Sequence, residues 1–220
     1  MNIIWFRRDL RLSDNESVIK ATANNAEVLP CFIIDPWFYQ WKDIGKARVR
    51  FLFECLENLD NNLQKLGSKL YLLEGNSVDI LQQLSNQLIQ KSYQPKLYFN
   101  RDVQVEYGIA RDKSIIDYYQ QQNLEYHIGL SNFIQPNERH EEWLNEYYTY
   151  QRNTLHPTPT QINTPQLSLN LSQLTIEELK QKYSAFWKTE KVYFPGGETE
   201  AIKVLDSFLS SRFKGYHWKL

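Results

Sequence analysis

The sequence has little of what usually announces a chemistry. Its two cysteines, Cys31 and Cys55, are too few and too scattered for a disulfide framework and have no metal-type spacing. Both read as reduced, buried small apolar residues. The four histidines, His127, His140, His156 and His217, lie far apart and also lack a ligand spacing. No Gly-x-Ser-x-Gly elbow, His-Glu-x-x-His helix or Cys-x-x-Cys pair occurs. From Arg7 to Ser13, just after the first apolar run, there is no glycine, which disfavours a phosphate loop or a dinucleotide fingerprint. No apolar run approaches the roughly 20 residues of a membrane span. Arg7, Arg8 and Asp9 interrupt the first one too early for a signal peptide. A cytoplasmic protein without membrane association is expected. A formal net charge of -1 argues against an overall electrostatic footprint for nucleic acid. Locally, the stretch from Lys203 to Leu220 holds Lys203, Arg212, Lys214 and Lys219 against Asp206 alone.

What is present is an alternation. Short apolar runs at Ile3–Phe6, Glu27–Ile34, Lys69–Glu74, Lys96–Asn100 and Leu124–Ile128 read as strands buried on both faces. Helical patterns lie between them at Ser17–Ala23, Arg48–Leu66, Ser77–Gln90 and Ile109–Gln122. In the second of these, Val49, Leu52, Leu56, Leu59 and Leu63 recur at spacings of three and four, and Gly67 ends the run. Ser13 and Glu16 have the spacing of a capping box for the first helix. The order predicts an α/β fold, a doubly wound five-stranded parallel sheet of Rossmann-like type, over residues 1–130. Residues 131–220 read as a linker and a helical extension. Pro157, Pro159 and Pro165 make 154–172 an extended connector, Thr175 and Glu178 form a capping box, and 198–213 reads as a helix with Ile202, Leu205, Phe208 and Leu209 on one face.

A doubly wound sheet gathers its strand carboxyl ends into one crevice. Here that crevice collects Arg7, Arg8 and Asp9, then Asp35-Pro36-Trp37, Glu74-Gly75 and Asn100-Arg101-Asp102, with Lys42–Arg48 as a lip. With Phe6, Phe32, Trp37 and Tyr107 as walls, the result suits a flat heteroaromatic ligand. Equally open on spacing alone is a structural role, with Asp9 and Asp102 pairing with nearby arginines to hold the loops.

Several segments resemble the DNA photolyase and cryptochrome family, in the same order and over nearly the whole chain. Ile4-Trp-Phe-Arg-Arg-Asp-Leu-Arg-Leu-Ser-Asp-Asn15 is similar to that family's first strand and turn, and Phe32-Ile-Ile-Asp-Pro36 to its second strand end. Arg48-Val-Arg-Phe-Leu52 resembles its Arg-x-x-Phe-Leu helix start, and Gly67-Ser-Lys-Leu-Tyr-Leu-Leu-Glu-Gly75 its third strand. Asn100-Arg-Asp-Val-Gln-Val-Glu-Tyr-Gly-Ile-Ala-Arg-Asp112 looks like the fourth strand end and its helix. Phe194-Pro-Gly-Gly-Glu-Thr-Glu-Ala201 is similar to the segment preceding the family's flavin domain. Two departures stand out. Residues 104–106 lack the proline often found before this tyrosine, and 132–153 lack the Gly-rich wording typical of the family.

The resemblance implies an N-terminal α/β domain that holds a light-harvesting antenna pigment. Gly108 stands where folate-binding members carry a glutamate, so the pigment implied is 8-hydroxy-deazaflavin or FMN. Asp9 and Asp102 would hydrogen-bond it, Ile44 to Arg48 would cover it, and Arg8, Phe32, Asp35, Asn100, Tyr107 and Gly108 complete the implied set. The matches stop where the FAD domain begins, so FAD is not expected in this chain. Nor is catalysis by it alone, although the resemblance is to part of a deoxyribodipyrimidine photolyase, a lyase. The implied partner is an FAD-binding helical domain or protein that repairs pyrimidine dimers, with DNA met only indirectly. The alternative is a Rossmann-like module that binds a nucleotide or a protein without any light function.

Overall fold

A computed structural model describes residues 1–36, 44–101, 106–129, 140–151, 155–188 and 194–218. The five predicted strands are present: β1 (Asn2–Phe6), β2 (Val28–Ile34), β3 (Tyr71–Glu74), β4 (Lys96–Asn100) and β5 (Glu125–Gly129). A sixth, β6 (Gln173–Leu174), was not expected. The sheet order is β5-β4-β1-β2-β3-β6, the first five parallel and β6 antiparallel to β3. Two residues, Leu174 opposite Leu72 and Gln173 opposite Leu73, are too short to register as a hydrophobic pattern. They nevertheless cover an edge that would otherwise leave backbone groups unpaired. Every residue of β2 is buried. Pro30 is tolerated there because β3 begins to pair only at Cys31, so on that side it interrupts no ladder.

The period-two alternation of buried strands sorts the core into two layers. Ile4, Phe6, Phe32, Ile34 and Leu72 face one way, onto α1 (Glu16–Thr22) and α2 (Lys46–Lys65) through Val18, Leu56, Leu59 and Leu63. Ile3, Trp5, Cys31, Ile33 and Leu73 face the other way. There they meet α3 (Ser77–Gln90) and α4 (Glu106–Gln121) through Leu81, Leu84, Leu88, Ile115 and Tyr119. Each fully buried leucine of these layers contributes about 1.5–3 kcal/mol of transfer free energy.

Local signals fix the element ends, with one correction. Gly67 takes φ +82° after α2, and the Ser68 amide donates to the Leu63 carbonyl at 3.0 Å, closing the helix. The first helix is capped by Asn15, whose Oδ1 accepts from the Val18 amide at 3.3 Å, and not by a Ser13–Glu16 box. Ser13 turns outward to a distant carboxylate, while Glu16 pairs with Lys20 at 2.8 Å and with His127 at 3.2 Å.

Beyond residue 130 more is ordered than the sequence suggests. α5 spans His140–Gln151, within the residues that read as linker and helical extension but where the sequence pattern specifies no helix. The proline-bearing connector is extended but packed: Ile162 sits in one core layer and Leu169 in the other, and the Val28 amide donates to the Asn163 carbonyl at 2.8 Å. The Thr175–Glu178 capping box is formed and opens α6 (Ile176–Lys182), followed by α7 (Ser184–Trp187). The final helix, α8, runs Glu198–Ser207 as α-helix. It then widens into a π turn (Phe208–Arg212) and tightens into a 3-10 segment (Phe213–Trp218) rather than ending at Phe213.

Candidate functional site at the strand carboxyl ends

The odd-numbered face of β1 ends on Ile3, Trp5 and then Arg7, so Arg7 is aimed at α4. It is buried. Its Nη1 donates to both carboxylate oxygens of Asp112, at 2.6 and 2.7 Å, and its Nη2 donates to the Asn100 carbonyl. Arg111 approaches the same carboxylate, Nε at 3.0 Å and Nη2 at 2.8 Å from Oδ1. Two cations sharing one buried anion need further compensation, and the aromatic faces supply it. The Arg7 guanidinium lies 4.7 Å from the Trp5 ring centre and 5.0 Å from that of Phe99, and Arg111 lies 4.8 Å from Trp5.

On one side of this pair, Asn100 ends β4 and knits three elements together. Its Oδ1 accepts from Ser17 Oγ at 2.7 Å, and its Nδ2 donates to Asn15 Oδ1 at 3.0 Å and to Asp9 Oδ2. Asn15 Nδ2 also donates to Asp9 Oδ2, at 3.3 Å. Gly129 makes room for this. A Cβ there would stand 2.1 Å from Asn100 Oδ1, so a larger residue would have to displace the Asn100 carboxamide. On the other side, Asp35 ends β2, and its Oδ2 accepts from the Ser77 amide at 3.1 Å, Ser77 Oγ at 2.8 Å and the Tyr107 hydroxyl at 2.7 Å. Burial, then the Asp35 carboxylate, push the Tyr107 phenol well above its ordinary value, so it stays a protonated donor.

The structure thus brings Asp9, Asn100, Asp35 and Tyr107 to one edge, with Gly108 buried beside Tyr107 on α4. Arg8 stands exposed at the same turn. Phe32 belongs to the α2-facing core and Ile44 packs against it. Arg48 lies on α2, where it lines a different groove. Asp102 and Trp37 fall outside the described residues. Asp9 makes loop-holding bonds, its Oδ2 accepting from the Asn15 and Asn100 side chains and its Oδ1 from the Arg7 amide at 3.4 Å, in place of ion pairs with arginine side chains. Because Asp9 is only half-buried and a carboxylate accepts about four hydrogen bonds, it retains acceptor capacity toward solvent. The residues overlooked in the sequence are Asp112, which Arg7 grips, and Arg111, which shares that carboxylate, together with Ser17 and Ser77. The alternation that aims Trp5 at α4 also aims Arg7 there, so the first pair was within reach; the serines carry no such signal.

A second constellation joins the C-terminal helix to the sheet. Glu198, the first residue of α8, accepts from the Leu12 amide (Oε2) and the Ser13 amide (Oε1), each at 2.9 Å, and from the Ser13 hydroxyl. Glu54 on α2 accepts from the Gly196 amide at 2.8 Å. Asn58 Nδ2 donates to Thr199 Oγ1 at 3.0 Å. Between α2 and α8 runs an apolar groove of about 870 Å3, lined by Phe51, Phe194, Val204, Leu205 and Phe208 and edged by Arg48 and Arg212.

The order of strand ends, the Arg7 turn and the Gly-Gly-Glu segment can be set beside known proteins. The sequence profile of DNA photolyase matches residues 2–155. The chain belongs to the DNA photolyase family. A deoxyribodipyrimidine photo-lyase of Synechococcus is 38% identical over 113 residues, 51% of this chain and 22% of that protein. Cryptochrome-1 of Erithacus rubecula is 28% identical over 228 residues, 94% of this chain and 36% of that protein. Among solved structures, a cryptochrome of Synechocystis aligns with TM-score 0.78 at 19% identity, over 99% of this chain and 48% of its own. An archaeal photolyase from Sulfolobus tokodaii, which holds two FAD molecules and implicates a novel light-harvesting cofactor, aligns with TM-score 0.70 at 24% identity, over 93% of this chain and 46% of its own. These two likenesses concern the fold. The chain spans less than half the length of each of these relatives.

Among the described residues no helix is long and apolar enough to cross a membrane. Burial pushes the Cys31 thiol well above its ordinary value, and Cys55 shifts the same way for the same reason.

Proposed function

We propose that this chain is the antenna half of a photolyase or cryptochrome. It would hold 8-hydroxy-deazaflavin or FMN at the strand carboxyl ends and pass excitation energy to an FAD-binding helical domain or protein that repairs pyrimidine dimers. The observation that carries the reading is the meeting of Asp9, Asn100, Asp35 and Tyr107 at one edge of a photolyase-family sheet. The chemistry fits a flavin-type ring, whose edge alternates N–H donors with carbonyl acceptors. Asp9 offers an acceptor toward solvent, and Tyr107 offers a half-buried aromatic face. The light-harvesting cofactor implicated in the Sulfolobus tokodaii structure supports an antenna role by likeness of fold alone.

The bound pigment supplies the absorption; the chain's own residues supply rigidity. Energy transfer requires a fixed distance and orientation and no proton transfer. The Arg7–Asp112 fork and the Asn100 knot serve that need, because they lock the loops that would grip a ring. Asp102 belongs to the proposed set. The groove between α2 and α8 and the exposed Ile202, Leu205 and Leu209 are proposed as the face that meets the helical domain, in the cytoplasm, with DNA reached only through that domain.

The test is an absorption titration of purified protein with 8-hydroxy-deazaflavin and with FMN. A shifted, structured band that Asp9→Ala or Asp102→Ala weakens supports the reading. No binding of either pigment at tens of micromolar contradicts it.

A further inference from the structure

The carboxylate that opens α8 is not spent on its own helix. Glutamates at this position ordinarily compensate the free amides of the first turn. Glu198 instead reaches back across the chain to the turn after β1, taking the Leu12 and Ser13 amides and the Ser13 hydroxyl. Leu12 is buried, so its amide has no water to fall back on. The same turn is closed internally by Arg11, whose Nε donates to the Ser13 carbonyl at 3.1 Å and Nη2 to that of Asp14 at 2.9 Å. It is tied to Asn15 and Asn100 through Asp9. Displacing one end therefore moves the other.

The helix is equally constrained on its far side. Cβ atoms built on Gly196 would meet the Phe51 carbonyl oxygen at 2.5 Å, and on Gly197, which holds φ +111°, the Asn58 Cβ at 2.5 Å. Backbone thus lies directly on α2, and the helix has little freedom to slide. The apolar groove opens farther along, between α2 and the later turns of this helix.

We propose that Glu198 is a positioning residue that latches helix 198–207 to the Asp9-bearing turn, so that ligand occupancy at the strand ends and the seating of the groove-bearing helix are thermodynamically linked. This rests on the reading of that edge as a pigment site. Linkage is reciprocal: whatever firms the turn firms the helix, and the converse. Without the carboxylate the two segments should behave independently.

Amide hydrogen exchange on the full 220-residue chain tests it. In ligand-free protein, Glu198→Ala should speed exchange of both 9–14 and 198–207 by roughly ten- to a hundredfold, the range expected for leaving a buried amide unpaired. Ser13→Ala, altered only in the turn, should speed 198–207 by a few-fold. Asp206→Ala, on the same helix but away from the turn, should change neither segment. In the wild type, saturating FMN or 8-hydroxy-deazaflavin should slow both segments; in Glu198→Ala it should slow the turn alone. If Glu198→Ala loses its circular dichroism, Glu198→Gln and Ser13→Ala carry the comparison.

A Glu198 variant that loosens the helix and leaves the turn untouched overturns the latch, as does a pigment effect on the helix that survives Glu198→Ala. Failure of both pigments to slow the wild-type turn tells instead against the pigment reading, and the ligand-free comparison then decides the latch by itself.

Discussion

Arg7 and Asp112, 105 residues apart, are joined by a two-pronged bond from one guanidinium nitrogen, 2.6 Å to one carboxylate oxygen and 2.7 Å to the other. The side chains are 6% and 12% exposed, so the pair ties β1 to α4 beneath the edge where ligands of such sheets bind. Removing one partner leaves an uncompensated charge in the interior. Asp112→Ala should cost about 3–5 kcal/mol, read as a lower urea midpoint at unchanged slope. Arg7→Met with Asp112→Leu should recover only part of that loss, because Arg111, 4% exposed, loses the carboxylate it shares.

In the α2-facing layer, Leu59 and Leu63 are essentially inaccessible to solvent. Leu63→Ala should destabilise by about 2–5 kcal/mol. Leu205→Glu, on the groove face and 53% exposed, should change stability by less than about 0.5 kcal/mol and should abolish binding of a helical partner, if the groove is that docking face.

These contrasts show how much was legible in the sequence. Buried parallel strands announce themselves as short apolar runs because both faces are covered, so all five and the helices between them were readable, with α2 and α3 recognisable from leucine spacing. β6 was not, since two residues on an edge produce no periodicity. The Ser13–Glu16 spacing was misleading, because Asn15 sits one step closer to the helix and Ser13 is claimed by Glu198, 185 residues away. At the candidate site the strand-end carboxylates were legible from topology. Their partners were not: the Asp35–Tyr107 bond spans 72 residues, and pairing at that range leaves no local trace.

Gly197 should not tolerate a side chain. Its positive φ and the 2.5 Å approach to Asn58 predict that Gly197→Ala destabilises the seating of α8 by more than about 1 kcal/mol. Amide exchange across 198–207 measures it.

His127 should make the fold sensitive to mild acid. Burial, then Lys20, hold its imidazole below the ordinary 6.5 despite Glu16. The unfolded chain therefore binds a proton that the folded chain refuses, so stability is full above that value and falls as pH drops through it toward the lowered one. His127→Gln should flatten this part of the stability–pH curve.

The central claim is that Asp9 helps grip a flavin-type ring at the strand carboxyl ends. Calorimetric titration of the wild-type chain and of Asp9→Ala with FMN and with 8-hydroxy-deazaflavin tests it most directly. One pigment should bind the wild type at one site per chain, with Asp9→Ala at least about tenfold weaker, near 1.4 kcal/mol. Equal affinity in both proteins, or no heat with either pigment at tens of micromolar, would contradict it.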